Sequence, residues 1–233
     1  MKPPTLSSNG ERCEKCGIRN TALFADLRES DFELIHQPID DLEFPVGEVL
    51  YAAGERAGHL YTLRSGLIKL EQYLPDGTQR IVRLLQPGDV AGLEATVADD
   101  YEHTAVALEP ISVCRIPKSV VRTLNEQTPR LHGRLMERWR KALREADRWL
   151  TELSTGTARE RVARLLLAQC DCTEGDQFHL LGREDIGAML GITTETASRV
   201  VAEFKRAGLI KVSSGRAQLL DHERLEKIAG HAA

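Results

Sequence analysis

No apolar run in this chain of 233 residues approaches the roughly 18 that a membrane-spanning helix needs, so no transmembrane helix is expected. The opening "MKPPTLSSNGERCEKC" also lacks the apolar block of a secretory signal, and a cytoplasmic location is expected. Cysteine is scarce and odd in number, five in all, and a reducing compartment disfavours structural disulfides. Thiols that react, bind metal or are merely buried are the remaining options. Positive charge in excess is missing as well: the net charge of -4 argues, taken alone, against a nucleic-acid partner. No paired carboxylates or nucleophile–base arrangement is present, so an enzyme is not expected.

What is there is an ordinary soluble balance, 42% hydrophobic and 28% charged, in a chain long enough for one or two domains. The charge is unevenly spread. Residues 1–114 carry 10 Lys/Arg against 19 Asp/Glu, residues 115–155 carry 10 against 5, and residues 156–233 carry 11 of each. An acidic front and a neutral back permit DNA binding by the back half.

Three patterns follow one another. From about Phe44 to Ile116, short alternating runs are punctuated by glycine, with a hairpin turn at Pro75-Asp76-Gly77, which predicts a small antiparallel roll. From Leu131 to Leu153 the pattern is helical. Leu135, Trp139, Ala142, Ala146, Trp149 and Leu153 recur at alternating spacings of four and three, a heptad seam expected to form a dimer interface. A second stripe, Met136, Leu143 and Leu150, lies beside it, so that one side of the helix can face its own domain and the other a twin helix. From Thr157 onward, an amphipathic helix with Val162, Leu165, Leu166 and Cys170 inward precedes a short helix marked by Ile186, Met189 and Leu190. Gly191 breaks that helix, Thr193 or Thr194 caps a second through Leu209, and "LIKVSSGRAQLLD" reads as a two-stranded wing. This is the order of a winged helix-turn-helix.

On the second helix Glu195, Ser198 and Arg199 share one face, with Thr194 and Thr196 beside them, while Ala197, Val200, Val201 and Phe204 face inward. Recognition helices read base edges with their N-terminal residues. Arginine can donate two hydrogen bonds to guanine, glutamate accepts from cytosine, and serine reaches a base edge or phosphate. The plainer alternative is a solvated Glu195–Arg199 ion pair four residues apart.

"GREDIGAMLGITTETASRVVAEFKRAGLI", together with the roll segment "LYTLRSGLIKL" and the long helix, resembles the Crp/Fnr transcription regulators from Phe24 onward. Glu195-x-x-Ser198-Arg199 is similar to the signature of their FNR-like branch. The resemblance implies an α+β chain: an N-terminal tail with Cys-x-x-Cys (1–22), an antiparallel β-roll sensory domain of cyclic-nucleotide-binding type (23–130), a dimerisation helix (131–155) and a winged helix-turn-helix (156–233). It further implies homodimers on double-stranded palindromes with TTGAT-like half-sites, in contact with RNA polymerase. Cyclic AMP is not expected, because His103-Thr104 stands where the family's phosphate-binding Arg-Ser pair would be, with Asp99, Asp100 and Glu102 crowding the approach.

FNR-like oxygen sensors hold a [4Fe-4S] cluster on three N-terminal cysteines and one in the roll, and thiolates suit iron. Cys13, Cys16 and Cys114 match three of these positions; the remaining one corresponds to Ala22 or Phe24, neither of which ligates iron. Three readings stand open: a cluster on Cys13, Cys16 and Cys114 with an unidentified fourth ligand such as Asp26, a small thiol or water; a thiol switch or another metal on the same residues; or no cluster, with Leu23, Phe24 and Leu27 plugging the roll and regulation by another small molecule or by abundance. A thiol-disulfide oxidoreductase using Cys13 and Cys16 is the competing enzyme reading, weakened because that pair normally opens a helix in a βαβ setting. Cys170 and Cys172 match no ligand position.

Overall fold

A computed structural model describes residues 23–32, 35, 37, 39–171 and 177–230. The alternating first half folds into eight strands: β1 (Asp40–Phe44), β2 (Val49–Tyr51), β3 (His59–Ser65), β4 (Ile68–Tyr73), β5 (Gln79–Leu85), β6 (Val90–Ala91), β7 (Thr104–Ala107) and β8 (Ile111–Pro117). They form two four-stranded sheets, ordered β1-β8-β3-β6 and β2-β7-β4-β5. The inward positions, among them Leu60, Leu63, Ile68, Leu70, Ala105, Val113 and Ile116, share one apolar core. The roll opens earlier than the alternation indicates, because Asp40–Phe44 pairs antiparallel with Arg115–Ile111 despite its two leading aspartates. The hairpin lies where expected: the Gly77 amide donates to the Leu74 carbonyl at 2.9 Å and the Thr78 amide to Asp76 Oδ1 at 2.9 Å. Gly66 has φ +86°, and a Cβ there would stand 2.5 Å from the Pro110 carbonyl oxygen, so only glycine fits this turn.

Upstream of the roll, Leu23, Phe24, Leu27 and Ile35 are buried in the same core, around a single helical turn α1 (Glu29–Phe32). Downstream come α2 (Lys118–Gln127) and the long α3 (Pro129–Arg148). Three ion pairs fix how α3 is rotated about its axis: Arg130 to Asp31 at 2.8 Å, Arg134 to Asp26 at 2.6 Å, and Lys141 to Asp89. The Asp31 carboxylate also accepts from the Arg28 amide and the Thr128 hydroxyl. The Arg130 guanidinium and the Arg28 N–H hold its carboxyl below the usual carboxylate range.

The chain forms two compact units. One holds the described residues up to Gln72 with Val82–Leu143; the other holds Tyr73–Ile81 and the described residues from Arg144. The boundary falls inside the long helix, whose last turn, Trp149–Leu153, widens into a π-helix. In the second unit, α4 (Ala158–Asp171), β9 (Gln177–His179), α5 (Arg183–Leu190), α6 (Thr194–Arg206), β10 (Ile210–Ser213), β11 (Arg216–Leu219) and α7 (His222–Ala229) follow in order. The wing is three-stranded rather than two-stranded, since β11 pairs with β9 as well as β10. Its tip is the two-residue turn Ser214-Gly215, with φ +49° and +77°, the left-handed pair of a type I′ hairpin. The inward side of α4 is Val162, Leu165 and Leu166 as expected, but Cys170 is half-exposed and Gln169 is buried in its stead, its amide donating to the His179 carbonyl at 3.1 Å.

Candidate nucleic-acid interface

Four features build the helix-turn-helix. α5 ends at Gly191, whose φ of +63° and ψ of +42° make a left-handed cap. The Arg161 guanidinium, from α4, donates to the Leu190 carbonyl at 2.7 Å and satisfies one of the helix's last acceptors. Gly187 lets the turn fold back: a Cβ at that position would lie 2.8 Å from the Ile192 carbonyl oxygen. Of the two threonines expected to cap α6, Thr193 does so, its hydroxyl accepting from the Thr196 amide at 3.1 Å. The helix ends at Arg206, three residues short of the expected Leu209, with Gly208 beyond it at φ +70°.

The two faces of α6 separate as the period requires. Ala197, Val200, Val201 and Phe204 are buried; Thr194, Glu195, Ser198 and Arg199 are exposed, and Thr196 is half-buried. Arg159 of α4 holds the other end of the helix, pairing with Glu203 at 2.8 Å and lying 5.7 Å from the Phe204 ring centroid. Among the described residues no ion pair joins Glu195 to Arg199, and both side chains are exposed. An exposed carboxylate repels phosphate, which fits base reading better than a general grip on the DNA backbone.

The long helix presents its two apolar stripes differently. Of the six seam residues expected at a dimer interface, Leu135, Ala142 and Leu153 are buried within the chain itself, Trp139 and Trp149 are half-buried, and only Ala146 is exposed. The neighbouring stripe is the uncovered one: Met136 is 50% exposed, Leu143 65% and Leu150 70%. Met136, Trp139, Leu143, Ala146 and Leu150 recur at alternating spacings of three and four, so the exposed side carries a heptad of its own. The ion pairs to Asp31, Asp26 and Asp89 accompany a rotation of the helix in which Leu135 faces inward.

Of the residues proposed to bind metal, Cys13 and Cys16 lie outside the described residues, as do Ala22 and Cys172. Cys114 sits on β8 opposite Asp41 and Thr62, half-exposed, its thiol 3.5 Å from Asp41 Oδ1. Asp41 in turn pairs with Arg64 at 2.9 Å. Phe24 is buried, and Asp26 is bound to Arg134. Among the described residues no group of three or more His, Cys, Asp or Glu side chains is placed to hold a metal ion. At the position of the family's Arg-Ser pair, the Thr104 hydroxyl accepts from the Ala53 amide at 3.1 Å, and His103 Nδ1 faces buried Glu94 at 3.8 Å, beyond hydrogen-bond reach. Tyr51 and Tyr101 stack in the same unit, centroids 3.9 Å apart.

Sequence reasoning missed Arg161, Arg164 and Glu94, because a charged residue at a buried or half-buried position looks like any solvated one until its partners are known. Among the described residues no helix is long and apolar enough to cross a membrane.

Known proteins are similar along nearly the whole chain. The family of cyclic nucleotide-binding domains matches residues 41–128, and that of Crp-like helix-turn-helix domains matches residues 160–228. The fumarate and nitrate reduction regulatory protein of Vibrio cholerae is 30% identical over 226 residues, covering 94% of this chain and 90% of its own length. The transcriptional activator protein anr of Pseudomonas aeruginosa is 30% identical over 225 residues, covering 94% and 92%. The solved structure of FixK2 from Bradyrhizobium japonicum superposes with a TM-score of 0.76 at 27% identity, over 84% of this chain and 99% of that one.

Proposed function

The chain belongs to the Crp/Fnr family of transcription regulators, and on that footing we propose that it acts as a homodimer on palindromic double-stranded DNA with TTGAT-like half-sites, contacting RNA polymerase from there. The observation that carries the reading is α6, whose apolar residues are buried while Glu195, Ser198 and Arg199 stay exposed beyond a capped N-terminus. In this reading Arg199 donates to guanine and Glu195 accepts from cytosine, with Thr194, Thr196 and Ser198 completing the contact. The exposed heptad Met136, Trp139, Leu143, Ala146 and Leu150 supplies the dimer seam; fully burying an exposed Met or Leu side chain contributes about 1.5–3 kcal/mol, as an upper bound for Met136, Leu143 and Leu150. Arg199→Ala should weaken binding to a TTGAT palindrome by about 1–3 kcal/mol, roughly 5- to 150-fold, and relax preference at the guanine it reads. Unchanged affinity and unchanged base preference in a binding titration at fixed salt would refute the assignment.

For the signal, the reading is a redox or oxygen response through Cys13, Cys16 and Cys114, as thiols or as three ligands of an iron–sulfur cluster; the names of the relatives, a fumarate and nitrate reduction regulator among them, support it. The described residues do not complete a four-ligand set: Phe24 is buried and apolar, and the Asp26 carboxylate is taken up by Arg134. A second reading therefore has a specific observation in its favour. Leu23, Phe24 and Leu27 fill the roll's core, as expected of a regulator without a cluster that answers to another small molecule or to its own abundance. Cyclic AMP fits neither, as His103 and buried Glu94 offer a phosphate no arginine. Purification without oxygen, followed by iron and acid-labile sulfide analysis, separates the two: iron bound in the wild type and lost in Cys114→Ser supports the cluster, and an iron-free protein after reconstitution ends it.

A further inference from the structure

α4 carries an arginine whose guanidinium reaches two helix ends at once. Arg164 Nη1 donates to the carbonyls of Glu152 at 2.6 Å and Thr155 at 2.9 Å, and Nε donates to the carbonyl of Ala229 at 2.6 Å. Glu152 lies in the π-turn that closes the long helix, Thr155 in the joint after it, and Ala229 is the last residue of α7. Carbonyls at helix C-termini lack intrahelical partners and carry partial negative charge, so a fixed cation among three of them is well matched. Two left-handed glycines border it. A Cβ at Gly156 (φ +81°) would stand 3.5 Å from Arg164 Nη2, and one at Gly230 (φ +79°) 3.4 Å from it.

The joint is otherwise built to end one helix and begin the next. The Ser154 amide and hydroxyl both donate to the Trp149 carbonyl, at 3.0 and 2.8 Å, and the Thr155 hydroxyl donates to the Thr151 carbonyl at 2.6 Å. On the far side, Thr157 and Glu160 form a reciprocal capping box that starts α4: the Thr157 amide donates to Glu160 Oε2 at 2.7 Å and the Glu160 amide to Thr157 Oγ1 at 3.3 Å. These bonds are local to each side of the joint. Arg164 ties the end of the long helix directly to α4 and α7, in keeping with the helix from Arg144 onward belonging to the DNA-reading unit.

We infer that Arg164 is a positioning residue for DNA recognition, a latch that makes the last turn of the dimer helix and the DNA-reading unit one rigid piece. This rests on the reading of the chain as a dimeric DNA-binding protein. Two recognition helices must stand about 34–36 Å apart to enter successive major grooves. A joint free to swing at residues 154–157 would spread that spacing without altering either reading surface.

The test uses the full-length dimer with Arg164→Ala and Arg164→Lys, the lysine keeping the charge but not the planar fork. Hydrogen exchange should rise at least 10-fold at residues 149–160 and 222–230 in the alanine variant, less in the lysine variant, with α5 and α6 unchanged. Affinity for a palindrome should fall about 10-fold, while affinity for DNA bearing one half-site stays as in the wild type. Unchanged exchange at residues 149–160 would overturn the latch. So would equal losses on palindrome and half-site with faster exchange through α5 and α6, which mark a merely structural arginine. A wild type that ignores the palindrome would instead defeat the functional reading, leaving the exchange result to stand by itself.

Discussion

The turns and caps around α6 and the wing are made by neighbours in sequence, whereas the roll is closed by residues far apart. Thr193 caps the helix that follows it through the Thr196 amide three residues on, Gly191 ends the helix before it, and the wing closes through the two-residue turn Ser214-Gly215. In the roll, β1 pairs with β8 across some 70 residues, and α3 is held by aspartates 52, 99 and 108 residues distant. Local bonds leave a surface whose chemistry can be read residue by residue. Long-range bonds decide which surface there is.

The long helix belongs to both, and the largest expected effect lies there. If the Met136–Leu150 side is the seam, Leu143→Asp with Leu150→Asp places two unpaired carboxylates from each protomer in it, at a cost of several kcal/mol. The double variant should sediment as a folded monomer and bind the palindrome at least 100-fold more weakly. Leu135→Asp, aimed at the buried stripe, should unfold the roll instead. A dimeric Leu143→Asp/Leu150→Asp variant would restore the interface first expected from the sequence.

Glycine to alanine at one tight turn in each unit tests whether the two fold independently. At Gly66 the new Cβ overlaps a backbone carbonyl at 2.5 Å in a left-handed conformation, and destabilisation of about 3 kcal/mol or more is expected. At Gly187 the approach is 2.8 Å in ordinary helical backbone, where alanine's helix preference offsets part of the overlap, leaving about 1–2 kcal/mol. Calorimetry should show the first substitution lowering the roll's transition and the second that of the DNA-reading unit. A single shared transition moved by either would show that the two compact units do not fold separately.

The same contrast explains what could be read in advance. The exposed face of α6 is legible because Ala197, Val200, Val201 and Phe204 repeat at the helical period and their complement must be exposed. The hairpin at Asp76-Gly77 and the left-handed turn at Gly191 carry their own chemistry. The strand β9, three residues long, is too short to show a period and exists because β11 offers it an edge. Which of the two adjacent apolar stripes on α3 its own chain covers is not legible either. Both satisfy a heptad, and the pairs to Asp26, Asp31 and Asp89 that rotate the helix are invisible to any local pattern. The cysteines suffer most, since a site assembled from residues 13, 16 and 114 depends wholly on distant placement.

The smallest effect probes one of those distant bonds. Asp31 has a carboxyl held below its usual range by Arg130 and the Arg28 amide, so its contribution is fully present above the unfolded aspartate value of about 3.9 and is lost as pH falls through the lower folded value. Arg130 is about a third exposed, so solvent screens the pair and the contribution is modest. Asp31→Asn should therefore lower the roll's stability slightly at pH 7, and the gap to the wild type should close in the acid range below about pH 4. The transition of the DNA-reading unit, which holds no part of this cluster, serves as the internal reference in the same urea titrations. A gap that stays constant with pH would assign Asp31's role to shape and hydrogen bonding alone; a gap in both transitions would mean that the long helix carries the disturbance from one unit into the other.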